Sequence, residues 1–200
     1  DAATRQKAFT VAGVEAQETL AKIRDALAEV VAEGADVEAF REKVLDLVEP
    51  GTFLSPAHME TVFRTNVQGA LSDGQNAILQ HPLIRSGFPY RQRDAIHDDR
   101  VRENHLALEK MGIQGTNIYR ADDPVWQLFR APWDWNDRCS DTPLTVRQAA
   151  EAGIEEAQTW LKTGTEPAKK AFVEMPDFRP PAAFDRFPLT TMPLSVQLSL

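Results

Sequence analysis

The chain has 200 residues, of which 42% are hydrophobic and 26% charged, so it is long enough and apolar enough to bury a core. Its net charge is −8, and the first 82 residues hold 7 basic against 13 acidic side chains, which argues against a phosphate-binding surface there. The single cysteine, Cys139, excludes an internal disulfide and a zinc site built from several thiolates, and no apolar run approaches the roughly 18 residues of a membrane span.

Three helices are predicted in the first 82 residues. The first covers residues 4–33, where good helix formers accompany apolar residues at helical spacing. The second carries an apolar stripe over residues 37–48. The third begins after the cap residue Ser55 and ends before Pro82. Together they predict an N-terminal helical region.

Shorter segments, aromatic residues and turn signals follow Pro82. The strands predicted there are residues 88–97, 113–120 and 139–146, and the helices are residues 102–111, 125–129 and 146–160. Mixed helices and strands of this size are typical of a compact α+β module with a small antiparallel sheet. The fold class indicated is α+β, with a helical region at residues 1–82, the module at residues 83–165 and an extended arm at residues 166–200.

The predicted arm holds 6 of the 13 prolines, which forbids ordinary helices and strands. It also carries phenylalanines that a free linker would not need. We interpret it as an extended arm that lies on a partner protein, and the alternative is that it wraps its own domain. The candidate partner-binding residues are Phe172, Phe178, Phe184 and Phe187.

The densest group of polar side chains lies within residues 97–109. Asp99, His105 and Glu109 would suit a divalent metal that activates water, as in a metal-dependent nuclease or hydrolase. His105 and Glu109 share a predicted helix face at i and i+4. We favour the structural alternative, in which a strand end and a helix start are held by charge pairs among residues 98–102.

Two further groups favour structural roles over catalysis. Cys139 would need a base such as His105 to act as a nucleophile, but no signature of a cysteine protease surrounds it. Trp133 and Trp135 are better suited to sealing a core or a partner surface than to stacking on a base. Arg64 lies inside an apolar stripe, and we expect it to reach a carboxylate or backbone carbonyls across the domain junction.

A DNA-binding accessory role is a third hypothesis. It would use five arginines of the module: Arg85, Arg91, Arg93, Arg100 and Arg102. Their acidic neighbours Asp94, Asp98 and Asp99 weaken this hypothesis, because like charges repel phosphate.

Several short motifs occur in a specific order along residues 64–144. A helical Arg-Thr is followed by small residues, an aromatic-rich strand runs into Asp-x-Arg with a histidine beyond it, and a tryptophan precedes a proline-containing segment that ends in Arg-Cys. The matching positions are Arg64-Thr65, Asp98-Asp99-Arg100, His105, Trp126, Arg138-Cys139 and Thr142-Pro143-Leu144. In this order they resemble the phage Mu F-like minor head protein family, also called head morphogenesis proteins.

One position departs from the family pattern. The family's Cys-Arg-Cys has Asp137 in place of its first cysteine here. Any metal or redox role that paired thiols support in relatives is therefore in doubt for this chain.

The resemblance implies a non-catalytic minor component of a tailed-phage head, associated with the portal vertex and acting in head assembly, DNA packaging or ejection. The implied partners are the phage portal or major capsid protein, with packaged DNA as a weaker candidate and no membrane. The implied location is the virion head, assembled in the host cytoplasm, and no cofactor or metal is expected. The residues expected to form a structural framework are Arg64, Asp99, His105, Trp126, Arg138 and Cys139.

Overall fold

The computed structural model describes residues 17–47 and 55–181, and for residues 17–20 it describes the backbone alone. The chain divides into two compact units, residues 1–71 and residues 72–200, with the boundary inside one long helix. Within the described ranges, no helix is both long and apolar enough to cross a membrane.

In the part that the structure describes, the first unit is helical, as predicted, and residues 4–16 of the first predicted helix lie outside the described residues. Its helices are α1 (Gln17–Ala32), α2 (Val37–Leu47) and the first part of α3 (Pro56–Gln80). The Asp36 carboxylate accepts hydrogen bonds from the backbone N–H groups of Glu38 and Ala39 at the start of α2. Ser55 Oγ accepts from the His58 N–H at the start of α3, 3.2 Å away. Because these side chains satisfy N–H groups that have no partner inside the helix, both predicted helix starts are confirmed.

The apolar stripes of these helices form one core. Phe40 and Val44 of α2 are fully buried, and the Phe40 ring packs at 5.6 Å from the ring of Phe63 on α3. The buried residues of this core are Ile23, Leu27, Val30, Phe40, Val44, Met59 and Val62. Each large side chain buried in this way stabilises the fold by about 1.5 to 3 kcal/mol, which explains why the stripes predict the helices well. Val48, the end of the predicted stripe, lies outside the described residues.

The second unit combines short helices with a three-stranded sheet, which confirms the α+β fold class. In chain order its elements are the end of α3, α4 (Pro82–Gly87), β1 (Tyr90–Asp94), α5 (Glu103–Leu108), a 3₁₀ turn (Ile113–Gly115), β2 (Ile118–Arg120), α6 (Val125–Phe129), β3 (Ser140–Leu144), α7 (Val146–Glu151) and α8 (Glu155–Thr163). The sheet order is β2-β1-β3 and both pairings are antiparallel. Tyr90 of the central strand lies opposite Arg120 on one side and Leu144 on the other.

Two predicted elements are interrupted in the structure by residues with a positive φ. The predicted strand at residues 113–120 begins as a 3₁₀ turn, because Gln114 adopts a left-handed φ of 58° that a strand cannot contain. The predicted helix at residues 146–160 is two helices, because Gly153 adopts a φ of +95° and ends the first of them.

The two faces of the sheet pack against different helices. One face carries Tyr90, Ile118 and Leu144 against α7 and α8. The other face carries Tyr119 toward the aromatic residues of α6, and this aromatic core contains Leu108, Tyr119, Val125, Trp126, Phe129 and Trp133. Because side chains alternate along a strand, Arg91 and Arg93 of β1 also lie on the aromatic side.

Residues 166–181 contain no helix or strand and follow the surface of their own module. The Ala171 N–H donates to Glu156 Oε2 and the Val173 N–H donates to Asp123 Oδ2, both at 3.0 Å. Phe178 packs against the aromatic core. For these residues the structure therefore matches the alternative in which the segment wraps its own domain. Phe184 and Phe187 lie outside the described residues.

Candidate functional site

Arg93 of β1 is the centre of a buried charge network. Its guanidinium donates to Asp141 Oδ1 on β3 at 2.9 Å and also to the Phe129 carbonyl, and it lies 5.2 Å from the Trp126 ring centre. Asp141 Oδ2 accepts the Ala131 N–H at 2.8 Å, so both carboxylate oxygens are used. A buried charge that is paired with a carboxylate in this way fixes the geometry of the elements that it joins.

Arg91, two residues earlier, lies on the same face of the sheet. It is 2% exposed, donates to Asn76 Oδ1 at 2.8 Å and lies 5.5 Å from the centre of the Trp126 ring. Burial lowers the pKa of Arg91 to about 10. Trp126 itself is 6% exposed, and its Nε1–H donates to the Arg120 carbonyl at 2.8 Å. Trp126 is therefore a buried part of the aromatic core, and its assignment to a structural framework stays a prediction.

Arg138 holds the loop before α5 through Asp98. Its two terminal nitrogens donate to the two Asp98 oxygens at 2.6 and 2.8 Å. These hydrogen bonds hold the pKa of Asp98 well below its usual range. Asp99, which the sequence analysis chose for the framework, is exposed. The carboxylate that accepts the hydrogen bonds of Arg138 is that of its neighbour Asp98.

The second cluster is the His105 pocket, formed by His105 of α5 with Trp133, Asp134, Asp137 and Cys139. His105 Nδ1 lies 3.2 Å from Cys139 Sγ and 3.4 Å from Asp137 Oδ1. On the opposite edge of the ring, Nε2 lies 3.7 Å from Asp134 Oδ2. The imidazole stacks on Trp133 with ring centres 4.1 Å apart. The structure thus brings His105 and Cys139 together, 34 residues apart in sequence.

Burial and charge compete in this pocket. Burial disfavours a protonated His105, but the nearby carboxylates of Asp134 and Asp137 outweigh burial and raise its pKa. Burial also disfavours a charged Asp137, yet the hydrogen bonds from His105 and Cys139 keep its pKa below the usual range. Burial raises the pKa of the Cys139 thiol, so Cys139 is not an activated nucleophile.

Asp137 also shapes the loop that carries the pocket. Its Oδ1 accepts the Cys139 N–H at 2.8 Å and its Oδ2 accepts the Trp133 N–H at 3.0 Å. Asp134 holds the same loop through Trp135 N–H and an ion pair with Arg102 at 3.1 Å. Sequence reasoning did not select Asp134 or Asp137. The available signal was the position of both aspartates beside tryptophans, in the sequence Trp-Asp-Trp-Asn-Asp at residues 133–137.

Asp99, His105 and Glu109, the residues predicted for a metal-dependent nuclease or hydrolase, do not form one cluster in the structure. Glu109 instead pairs with His97 at 2.8 Å and accepts the Ala95 N–H at 2.6 Å. In the part of the chain that the structure describes, the group of three metal-ligating side chains that does converge is His105, Asp137 and Cys139. The observed arrangement therefore differs from the predicted catalytic one in two of its three members.

The five arginines considered for DNA binding are occupied within the protein. Arg91 and Arg93 are buried at 2% and 1% exposure. The remaining three form ion pairs at 3.1 to 3.6 Å: Arg85 with Asp122, Arg100 with Asp98 and Arg102 with Asp134. Arginines that already neutralise carboxylates release few counterions on binding DNA, so this set is poorly suited to a phosphate backbone.

Arg64 does not brace a core. Its side chain is 68% exposed and pairs at 2.7 Å with Glu60, one turn earlier on α3. The expected position inside an apolar stripe is therefore wrong, and the carboxylate that Arg64 reaches belongs to its own helix. Exposed pairs of this kind contribute about 0 to 1 kcal/mol.

Comparison with known proteins identifies related sequences. Residues 21–142 match the family described as phage Mu protein F like protein. The chain is 30% identical over 163 residues to the Mu-like prophage FluMu F protein of Haemophilus influenzae, which covers 74% of this chain and 37% of that protein. It is 26% identical over 170 residues to the putative capsid assembly protein F of Escherichia phage Mu, covering 74% of this chain and 36% of that protein. The chain spans little more than a third of these relatives, and no solved structure matches it.

Proposed function

We propose that this chain, which belongs to the phage Mu protein F-like family, works as a non-catalytic structural component of a tailed-phage head. The observation that carries the proposal is the match over residues 21–142, together with a relative named as a putative capsid assembly protein. We further propose that it is a minor component associated with the portal vertex, where it acts in head assembly, DNA packaging or ejection.

The polar clusters support a scaffold role. In the Arg93 network, the ion pair between Arg93 and Asp141 joins β1 to β3. In the His105 pocket, the contact between His105 and Asp137 joins α5 to the loop before β3. The Cys139 thiol has a raised pKa and the grouping of Asp99 with His105 and Glu109 is not assembled. These features favour a bracing function over turnover of a substrate.

Two regions are candidates for contact with the portal or the major capsid protein. The first is the apolar surface at the end of α3 and on α4, where Ile78 and Leu83 are 64% and 77% exposed. The second is residues 182–200, which follow the described segment and contain Phe184 and Phe187. Large exposed apolar side chains are costly in water unless a partner covers them, and this supports the first region.

The proposal is tested by counting copies of the protein in purified phage heads. The variants are a truncation after Pro181, which keeps the contacts of residues 166–181, and the double substitution Ile78→Ser with Leu83→Ser. We expect at least one of them to lower incorporation severalfold while the circular dichroism of the isolated protein is unchanged. The matched control is Leu161→Ser, since Leu161 is 47% exposed on α8 of the same unit. Normal incorporation of both variants would reject these regions as contacts, and absence of the unaltered protein from heads would reject the proposed function.

A further inference from the structure

Three donor atoms converge inside the His105 pocket. His105 Nδ1 lies 3.2 Å from Cys139 Sγ and 3.4 Å from Asp137 Oδ1, and all three donors lie within 4.8 Å of one another. Around a tetrahedral Zn²⁺ with bonds of about 2.0 to 2.3 Å, neighbouring ligand atoms are about 3.3 to 3.8 Å apart. The 3.4 Å distance from His105 Nδ1 to Asp137 Oδ1 falls within this range, and the 3.2 Å distance to Cys139 Sγ lies just below it. All three residues are at most 4% exposed.

The other edge of the imidazole faces a carboxylate, the kind of group that holds the second ring nitrogen of metal-bound histidines. Metal-ligating histidines usually donate their second ring N–H to a carboxylate, which fixes the tautomer. Here Nε2 is buried without a close hydrogen-bond acceptor, and Asp134 Oδ2 is the carboxylate oxygen nearest to it, at 3.7 Å. Stacking on Trp133 fixes the ring plane. A proton held on Nε2 leaves the Nδ1 lone pair directed at Asp137 and Cys139.

A small cavity borders the same three side chains. Its volume is about 20 Å³, and its walls include His105, Asp137, Cys139, Val101 and Arg138. A water molecule needs roughly 10 to 15 Å³ measured in this way. The cavity thus has room for one water beside the donors, which is the number needed to complete four-coordination.

We propose that His105, Asp137 and Cys139 bind a Zn²⁺ ion whose fourth ligand is a water molecule in the adjoining cavity. The nitrogen, oxygen and sulfur donors suit Zn²⁺, whereas Mg²⁺ and Ca²⁺ require sets of oxygen ligands. One thiolate and one carboxylate balance the charge of the ion, so the buried site would be neutral. This inference replaces the expectation from the sequence that no metal is bound.

Binding has a definite proton balance. The Cys139 thiol releases its proton to solvent as the sulfur coordinates, a protonated His105 also releases its Nδ1 proton to solvent, and the ring keeps a proton on Nε2 alone. No bond of the chain is broken and no electron is transferred. The ion would tie α5 to the loop of residues 133–139, and because it binds the folded state, it would raise the unfolding temperature.

Cobalt(II) titration tests the site in the full chain. Because the chain has one cysteine, any thiolate-to-cobalt absorption band in the near ultraviolet must come from Cys139. We expect one equivalent of Co²⁺ to give this band with visible bands of tetrahedral intensity, and Zn²⁺ to abolish them. Zn²⁺ should also raise the unfolding temperature of the metal-free protein.

Matched variants separate this site from other histidines. His105→Gln should abolish the bands, while His81→Gln, at an exposed histidine, should leave them unchanged. Asp134→Asn should weaken Zn²⁺ affinity by about 10- to 100-fold, as expected for a positioning residue. Asp137→Cys should strengthen the charge-transfer band, because it adds a second thiolate.

The folded, unaltered protein decides the outcome even where a pocket variant fails to fold. Absence of a thiolate band at saturating Co²⁺, or an unfolding temperature that Zn²⁺ does not change, would overturn the proposal. A band that persists in folded His105→Gln would overturn the assigned ligand set.

Discussion

Arg93 and Asp141 are 2% and 7% exposed at their side chains, so their pairing takes place almost without water. Removing one member of such a pair leaves the other charge buried and uncompensated, which costs far more than the net contribution of the intact pair. Arg64 and Glu60 form the opposite case, since water screens their pair on the surface of α3. Two ion pairs of similar length therefore differ greatly in their effect on stability.

We predict that Asp141→Asn lowers the free energy of unfolding by about 3 to 5 kcal/mol, because it leaves the Arg93 guanidinium without its countercharge. Urea denaturation followed by circular dichroism measures the change. Arg64→Ala is the surface control and should cost no more than about 1 kcal/mol. Equal effects of the two substitutions would contradict the assigned difference in burial.

Asp122 gives the module a sensitivity to acid. Burial opposes its charge, but the hydrogen bond from Lys170 and the charge of Arg120 outweigh burial and lower its pKa below 3.8. Because the pKa of Asp122 is lower in the folded state than in the unfolded state, the Asp122 carboxylate contributes its full stabilisation at a pH above its unfolded-state pKa. This stabilisation is lost as the pH falls through the folded-state pKa.

We therefore predict that Asp122→Asn destabilises the protein at pH 6 by about 1 kcal/mol and that this difference from the unaltered protein shrinks at pH 3. Urea midpoints at the two pH values provide the measurement. Asp177→Asn, at an exposed position of the same unit, serves as the control. If the stability difference between Asp122→Asn and the unaltered protein instead grew toward pH 3, the pKa of Asp122 would be raised by folding and not lowered.

At the scale of elements, the segment after α8 is integrated into the module through residue 181. Phe178 packs with ring centres 5.4 Å from Phe129 and 6.1 Å from Trp133. Phe172, in the same segment, is 48% exposed. The two candidate partner-binding phenylalanines that the structure describes thus have different environments, and Phe172 alone remains available at the surface.

We predict that Phe178→Ala lowers the free energy of unfolding by about 2 to 3 kcal/mol, somewhat less than for a fully buried phenylalanine. Phe172→Ala should change it by less than about 0.5 kcal/mol. Both values come from urea denaturation of the isolated chain. If Phe178→Ala proves neutral and instead reduces incorporation into heads, the residue contacts a partner and not its own core.

At the scale of the whole molecule, the charge distribution favours protein partners over DNA. The net charge is −8, and each of the five arginines considered for DNA is buried or paired with a carboxylate. The family relationship is consistent with the proposal that the protein acts by contact with other head proteins.

We predict that the purified chain neither nicks supercoiled plasmid in the presence of Mg²⁺, Mn²⁺ or Zn²⁺ nor binds DNA at 150 mM salt. Gel electrophoresis and filter binding, each with a known nuclease or DNA-binding protein as positive control, measure both properties. Cleavage that disappears in His105→Gln would contradict the non-catalytic proposal directly.

The sequence by itself determined the α+β class and the helices of the first unit. Apolar stripes and the cap residues Asp36 and Ser55 are local features, because a helix position and the face that it buries are set by residues three or four apart. The order of motifs along residues 64–144 also indicated the family, since that pattern requires no knowledge of contacts.

Only the tertiary structure decided which charged residues meet. Arg138 had Asp98 and Asp99 equally available in sequence, and His105 had Glu109 as its helical neighbour but instead contacts Cys139, 34 residues away. The placement of Phe178 in the core was likewise one of two alternatives that the sequence left open. Such pairings depend on the path of the chain through β1, α6 and β3. The energy of a buried contact depends on the distances and angles between its atoms, and the spacing of residues along the sequence does not determine these.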